Sequence, residues 1–144
     1  ESYGTWKEAA DHLLELFHKL FDLQKEEQCK RTHEIIAFVQ QYIEGHLSED
    51  LSLTSLSEKT YLNSSYLSRL YHQTTGHKLS SFIENARIKR AKELLENPYE
   101  KIYEIARKVG YDTAASFTRL FKKAEGMSPQ EYRDTFHSAK RHES

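Results

Sequence analysis

Two eleven-residue stretches of the chain repeat one pattern of side-chain types. Residues 66–76 read YLSRLYHQTTG and residues 116–126 read SFTRLFKKAEG, which places Arg69 and Arg119 at equivalent positions. At helical spacing, the apolar residues of each stretch share one face and the polar residues, with the arginine, share the other. An arginine can donate two hydrogen bonds to a guanine or clamp a phosphate. The repeated arginines therefore indicate two surfaces that contact nucleic acid.

The rest of each polar face has the same character. The candidate DNA-contacting residues are Ser64, Ser65, Ser68, Arg69 and His72 in the first copy and Ala114, Ala115, Ser116, Thr118, Arg119 and Lys122 in the second. Small side chains at the start of a helix let it enter the major groove without colliding with the bases. No carboxylate lies between residues 63 and 73 or between residues 113 and 123, although an ordinary solvated face mixes both charges. Taken singly, such an arginine is a surface ion-pair residue as often as a nucleic-acid contact, and Ser64 or Ser65 could be a helix cap.

The helices that hold these residues can be read from the apolar period, and the sequence predicts an all-α protein. Glycine and proline are scarce and fall between the periodic stretches. Asn63 and either Asp112 or Thr113 are predicted helix caps, and Ser128 to Glu131 form a capping box with proline at the first helical position. The predicted helices from residue 53 onward are about 53–59, 63–75, 78–96, 102–109, 113–124 and one that starts at 129.

A short helix, a tight turn and a second helix form a helix-turn-helix, and this unit occurs twice. Equivalent positions lie 49 residues apart before the turn and 50 apart after it, so the second turn contains one inserted residue. The close crossing of the two helices requires a small residue, which is Ala106 in the second copy and Ser57 in the first. Gly110 suits the second turn. The architecture predicted is two helix-turn-helix subdomains joined by a long linker helix.

The segment before this repeat is predicted to be an amphipathic connector helix. In a helix from Thr5 to Glu27, apolar residues follow the 4-3-4-3 spacing of a coiled-coil seam. A second helix is expected over residues 32–44, ending at Gly45. So broad an apolar stripe needs a partner, either the rest of this chain or a second copy, and the pattern leaves both open. The residues of the seam are Ala9, Leu13, Leu16, Leu20 and Leu23.

Charge divides the chain in a similar way. Residues 1–52 hold 5 basic and 11 acidic residues, whereas residues 53–144 hold 16 basic and 11 acidic ones. An acidic connector and a basic module that meets a polyanion would give this asymmetry. The domain boundaries predicted are a connector at 1–31, a DNA-binding domain at 32–137 and a tail at 138–144; the domain comprises a first subdomain at about 32–77, a linker helix at 78–96 and a second subdomain at about 97–137.

Several classes of protein find no support in the sequence. The chain contains a single cysteine, Cys29, and its eight histidines form no set with metal-ligand spacing. It contains no glycine-rich phosphate loop and no G-x-S-x-G nucleophile motif. No apolar run approaches the roughly 20 residues of a membrane helix. We therefore expect no enzyme activity, no cofactor and no metal. The DNA-binding part is expected in the cytoplasm, and the full-length protein could be membrane-anchored.

The motifs together resemble the DNA-binding domain of AraC/XylS-type bacterial transcription regulators, over residues of about 33 to 137. Those that carry the resemblance are YLSRLYHQTTG, FIENARIKRAKELL, KIYEIARKVGY, SFTRLFKKAEG and MSPQEYR. The resemblance implies seven helices in two subdomains. It also implies base contacts by Ser65, Ser68 and Arg69 in the first copy and by Ala114, Ala115, Ser116, Thr118 and Arg119 in the second. Ser57 and Lys78 depart from the pattern, since alanine and a capping serine are usual there. Arg87 in the linker helix is expected to brace the two subdomains rather than to contact DNA.

The resemblance also implies partners. These are double-stranded promoter DNA and RNA polymerase, and the apolar stripe of the N-terminal helix leaves open a homodimer through that helix. Because the chain starts at Glu1 and its only methionine is Met127, we expect a piece of a longer protein whose upstream part is a sensor or receiver domain. The alternative function is a helical protein-interaction module that has kept the fold without DNA binding.

Overall fold

The computed structural model describes residues 2–143, with side chains from Thr5 onward. Within this range the chain is entirely helical apart from its turns, as predicted. Helices of this kind are stabilised mainly by burial of one face against neighbouring helices. The helices are α1 Ser2–Gly45, α2 Leu53–Thr60, α3 Ser64–Thr75, α4 Leu79–Leu95, α5 Ile102–Lys108, α6 Ala114–Glu125 and α7 Pro129–Glu143.

The first helix differs from the prediction. We expected two helices with a break between residues 27 and 32, and the structure has one continuous helix, α1. The expected break lacks both glycine and proline, so nothing in the local sequence stops the helix. The side chains of Thr32 and His33 instead bond to backbone oxygens four residues earlier, at 2.9 Å and 2.7 Å. The chain forms two compact units, Glu1–Ala37 and Phe38–Ser144.

The two helix-turn-helix units have the predicted caps. The Asn63 side chain accepts from the backbone N–H groups of the next helix, and Thr113 does the same before α6. In both turns one residue has a left-handed backbone, Tyr61 with φ 58° and Gly110 with φ 94°. These residues lie 49 apart, whereas the caps lie 50 apart, so one residue is inserted between them in the second turn. Leu62 N and Tyr111 N donate to the equivalent carbonyl groups of Ser57 and Ala106, which leaves Asp112 as the inserted residue.

Each helix-turn-helix has an apolar core. In the first helix-turn-helix, Leu56, Leu67 and Tyr71 are buried, and the Tyr71 hydroxyl accepts a 3.2 Å hydrogen bond from Gln40 on α1. In the second helix-turn-helix, the rings of Phe117 and Phe121 pack at a tilt of 60°, with their centroids 5.7 Å apart. The core of the second unit consists of Ile88, Ala91, Leu95, Ile105, Ala106, Val109, Tyr111, Phe117 and Phe121.

The linker helix α4 packs against both units, because α3, α5 and α7 all contact it. Its 17 residues correspond to about 25 Å at 1.5 Å per residue. Lys78 caps this helix without a side-chain hydrogen bond. The equivalent Ser128 forms the predicted capping box, accepting from Glu131 N while Glu131 Oε2 accepts from Ser128 N, both at 3.2 Å. Helix α7 continues to Glu143 and so includes most of the predicted tail.

Candidate nucleic-acid interface

The outer face of α3 is positioned by its cap and its core residues. Asn63 starts the helix, and the burial of Leu67 and Tyr71 fixes its rotation. The opposite face therefore points to solvent. The predicted contact residues that are exposed on it are Ser65, Ser68, Arg69 and His72.

Ser64 lies differently from the expectation, since it is half-buried rather than outward. Its hydroxyl donates a 3.1 Å hydrogen bond to Ser57 Oγ, and Ser57 in turn donates to Thr54 O at 2.7 Å. The serine that replaces the usual alanine at the helix crossing thus has its polar atom satisfied. Ser64 joins α3 to α2 and does not belong to the outer face.

The outer face of α6 is built in the same way from buried Phe117 and Phe121. Ala115, Arg119 and Lys122 are exposed. Three predicted contact residues are only half-exposed, and Ala114 occupies the position equivalent to Ser64. The half-buried residues are Ala114, Ser116 and Thr118.

Charge on both faces is positive. Neither Arg69 nor Arg119 has an ion-pair partner among residues 5–143. Arg69 Nε donates at 3.4 Å to Ser65 O, one turn back, so the remaining guanidinium donors are free. Glu125, at the end of α6, bonds at 2.7 Å to Lys92 of the linker helix, which keeps its charge away from the outer face.

A groove of about 700 Å³ borders the outer face of α3. Ser68, Arg69 and His72 line one side of it, and Lys78 at the start of α4 lines another. From the sequence, Lys78 is recognisable only as a weak cap, because its proximity to Arg69 depends on how α3 packs on α4. Lys78 thus adds a cation to the first face.

Other kinds of site find no support in the part of the chain that the structure describes. No group of three or more His, Cys, Asp or Glu there could hold a metal ion. No described helix is long and apolar enough to cross a membrane.

Comparison with known proteins identifies the family. A family profile described as a helix-turn-helix domain matches residues 56–135. The C-terminal domain of AraT, a response regulator from Geobacillus stearothermophilus, is 41% identical with a TM-score of 0.67, over 70% of this chain and 84% of that one. The arabinose operon regulatory protein of Escherichia coli is 38% identical over 94 residues, which are 65% of this chain and 32% of that protein. This chain belongs to the AraC-type helix-turn-helix DNA-binding domains.

The AraC-type fold also occurs in a complex with DNA. The DNA-binding domain of AdpA, solved with a target DNA, matches with a TM-score of 0.68 at 23% identity, over 72% of this chain and 94% of that one. At that identity the likeness concerns the fold. The chain spans between 12% and 56% of the length of curated helix-turn-helix regulators that it matches, so it corresponds to one part of such proteins.

Proposed function

We propose that this AraC-type domain reads double-stranded DNA in a sequence-specific manner as the output domain of a bacterial transcription regulator. Helices α3 and α6 enter successive segments of the major groove, and α4 holds them at a fixed separation. The observation that carries the proposal is the pair of exposed, carboxylate-free outer faces, each with an arginine that lacks an ion pair among the described residues.

The exposed residues have different roles in this proposal. Arg69 and Arg119 read base edges, since a guanidinium can donate twice to a guanine. Ser65 and Ser68 donate or accept close to the start of α3, and Ala115 lies against a thymine methyl group. His72, Lys78 and Lys122 lie towards the ends of these faces and contact phosphates. Ser116 and Thr118 contact DNA through the part of each side chain that is exposed, whereas Ser64 and Ala114 support the helix crossing.

The test is selection of duplexes from a random pool, followed by binding measurements on the selected sequence. Replacing Arg69 or Arg119 by alanine should cost about 1–3 kcal/mol, or roughly 5- to 150-fold in affinity, and relax base preference at one position. Arg90→Ala is the matched control, because Arg90 is an exposed linker arginine paired with Glu93. It should leave the selected sequence unchanged.

Salt dependence separates base readers from phosphate contacts. Loss of a phosphate contact such as Lys122→Ala should weaken binding evenly on all sequences and reduce the salt slope by about 1. Equal weakening on all sequences by Arg69→Ala would reassign that arginine to the backbone. No retardation of random duplex at low salt would refute DNA binding and favour the alternative, a helical protein-interaction module.

A second proposal concerns α1. We propose that its apolar seam pairs with the same seam of a second copy as a coiled coil. The leucines at 13, 16, 20 and 23 are between 44% and 60% exposed, at the 3.5-residue repeat that two helices need to interdigitate. Pairing would raise the effective concentration of two DNA-binding domains on tandem sites.

Sedimentation equilibrium tests the pairing. The chain should be dimeric at high concentration, and Leu16→Asn with Leu20→Asn should make it monomeric. His18→Asn is the control, since His18 lies on the opposite side of the heptad and is exposed. A monomer at every concentration would rule out the seam as a dimer interface.

The remaining parts of the proposal concern the whole protein. We propose that a sensor or receiver domain lies upstream of α1, that the DNA-binding part works in the bacterial cytoplasm, and that the bound domain contacts RNA polymerase. The support for a receiver is the likeness to the AraT domain, which comes from a response regulator. Transcription reconstituted with purified polymerase on a template that carries the selected sequence tests the polymerase contact, because a protein that only binds DNA would leave the transcript level unchanged.

A further inference from the structure

The two helix-turn-helix turns share one backbone conformation but not one residue. Tyr61 and Gly110 both have positive φ and lie at equivalent positions. The Tyr61 side chain is 95% exposed, so the first turn accommodates a side chain despite the left-handed backbone. The conformation alone therefore does not explain glycine in the second turn.

Close packing explains it. A Cβ at Gly110 would overlap the carbonyl oxygen of Leu47 and would lie 3.0 Å from Nε of Arg87. Leu47 is buried in the segment between α1 and α2, next to the first helix-turn-helix. Arg87 belongs to the linker helix. Three separate parts of the domain thus meet at a glycine, where any side chain would force them apart.

Arg87 is held in this contact by its surroundings. Its guanidinium lies 5.6 Å from the centre of the Tyr111 ring, within the range of a cation–π interaction. Its Nε is buried, makes no hydrogen bond within the described part of the chain and lies against the backbone of Gly110.

Charged and polar groups surround the contact. Burial raises the pKa of Tyr111, the Arg87 charge partly lowers it and Glu84 raises it. A polar cavity of about 530 Å³ next to Arg87 is also lined by Glu49, Asp50 and Asp112. Asp112 is the residue inserted in the second turn, so the insertion lies at this contact and not elsewhere in the repeat.

We propose that Gly110 and Arg87 are positioning residues that fix the angle between α3 and α6, and that they thereby make the domain sensitive to the spacing of its two half-sites. The inference rests on the proposed function, in which both helices contact DNA. The most extensive helix packing runs from α2 through α3 to α4, and from α4 to α5 and α7, which both contact α6. The Leu47–Gly110–Arg87 contact therefore adds a second connection beside the linker helix.

The geometry can be tested without DNA. Spin labels at Gln73→Cys and Lys123→Cys, both exposed near the ends of α3 and α6, are measured by double electron–electron resonance in a Cys29→Ser background. The parent should give one narrow distance. Gly110→Ala should shift or broaden it, and Tyr61→Ala, at the same backbone conformation in an open site, should not.

Arg87→Leu keeps the test decisive if Gly110→Ala does not fold, which circular dichroism would reveal. This substitution removes the cation from the Tyr111 ring while Gly110 stays unchanged, and it should broaden the distance distribution. A folded Gly110→Ala and a folded Arg87→Leu that both superimpose on the parent would overturn the proposal.

The functional arm uses the duplex selected by the parent, with one base pair added or removed between its half-sites. Because binding through both helices is lost when geometry prevents simultaneous contact, the parent should bind these duplexes about 100-fold more weakly. In Gly110→Ala and Arg87→Leu that penalty should fall below about 10-fold. An unchanged penalty would overturn the proposal even if the distances broaden. If the parent selects no duplex, the proposed DNA binding fails. The spin-label distances alone then decide whether Gly110 and Arg87 fix the angle between α3 and α6.

Discussion

Replacement of Arg133 gives a sharp test of how the second helix-turn-helix is held on the linker helix. Arg133 lies on α7 and is 7% exposed. Its Nε donates to Leu95 O at 3.3 Å and its Nη2 donates to Glu100 O at 2.6 Å. Leu95 is the last residue of α4, where carbonyls lack helical partners and a cation is favoured.

Arg133→Ala removes two hydrogen bonds from a charged donor and leaves two carbonyl groups without them. Hydrogen bonds of this kind contribute about 1.5–3 kcal/mol each, so the loss of two should be about 3–6 kcal/mol of unfolding free energy. This is a large share of the roughly 5–15 kcal/mol typical of a domain. Arg133→Lys keeps the charge but cannot fork between two carbonyls, and it should lose at least about half as much.

Urea denaturation followed by helical circular dichroism measures these losses. Arg90→Ala is the control, because the Arg90–Glu93 pair is about half-exposed and should contribute no more than about 0.5 kcal/mol. A loss below about 1 kcal/mol for Arg133→Ala, or one equal to that of the control, would show that the two carbonyl contacts do not stabilise the fold.

Three further predictions concern caps and ionisation. Lys78→Ser should raise the unfolding free energy by about 1 kcal/mol in urea denaturation, because α4 gains a side-chain cap. Ser128→Ala should lower it by about 1 kcal/mol by the same assay, since it removes the acceptor for Glu131 N. Burial raises the pKa of Tyr111, so the stability that depends on its neutral form is complete below about pH 10 and declines as the pH rises further. Above about pH 10, the unfolding free energy should fall less steeply with pH in Tyr111→Phe than in the parent. An identical slope would show that ionisation of Tyr111 does not cause the loss of stability.

The helix starts and turns could be predicted because their signals are local. Asn63, Thr113 and the Ser128–Glu131 box satisfy backbone groups within three residues, and each is found as predicted. The predicted break in α1 is wrong, because a change of composition does not end a helix where no residue stops it.

The outer faces were predicted in part. Helical period distinguishes the buried side of α3 from its exposed side, and this placed Ser65, Ser68, Arg69 and His72 correctly in solvent. It does not show how closely the preceding helix crosses the first turn, and that crossing half-buries Ser64.

Long-range backbone contacts were beyond prediction. The partners of Arg133 are carbonyl groups 38 and 33 residues earlier, and a carbonyl carries no signature in the sequence. For the same reason the sequence identifies Gly110 only as a turn residue, although it also faces Leu47 O. Arg87 was expected to brace the subdomains, and its contact with the second turn agrees with that prediction.

The joining of two unequal copies by one linker helix gives the molecule a direction. A symmetric dimer presents one surface twice and reads palindromes, but here serine, arginine and histidine occupy one face, and alanine, arginine and lysine the other. Under the proposed function, turning a target sequence end for end would oppose each face to the wrong bases. The orientation of a bound site relative to its promoter would then decide which end of the protein points towards the start of transcription.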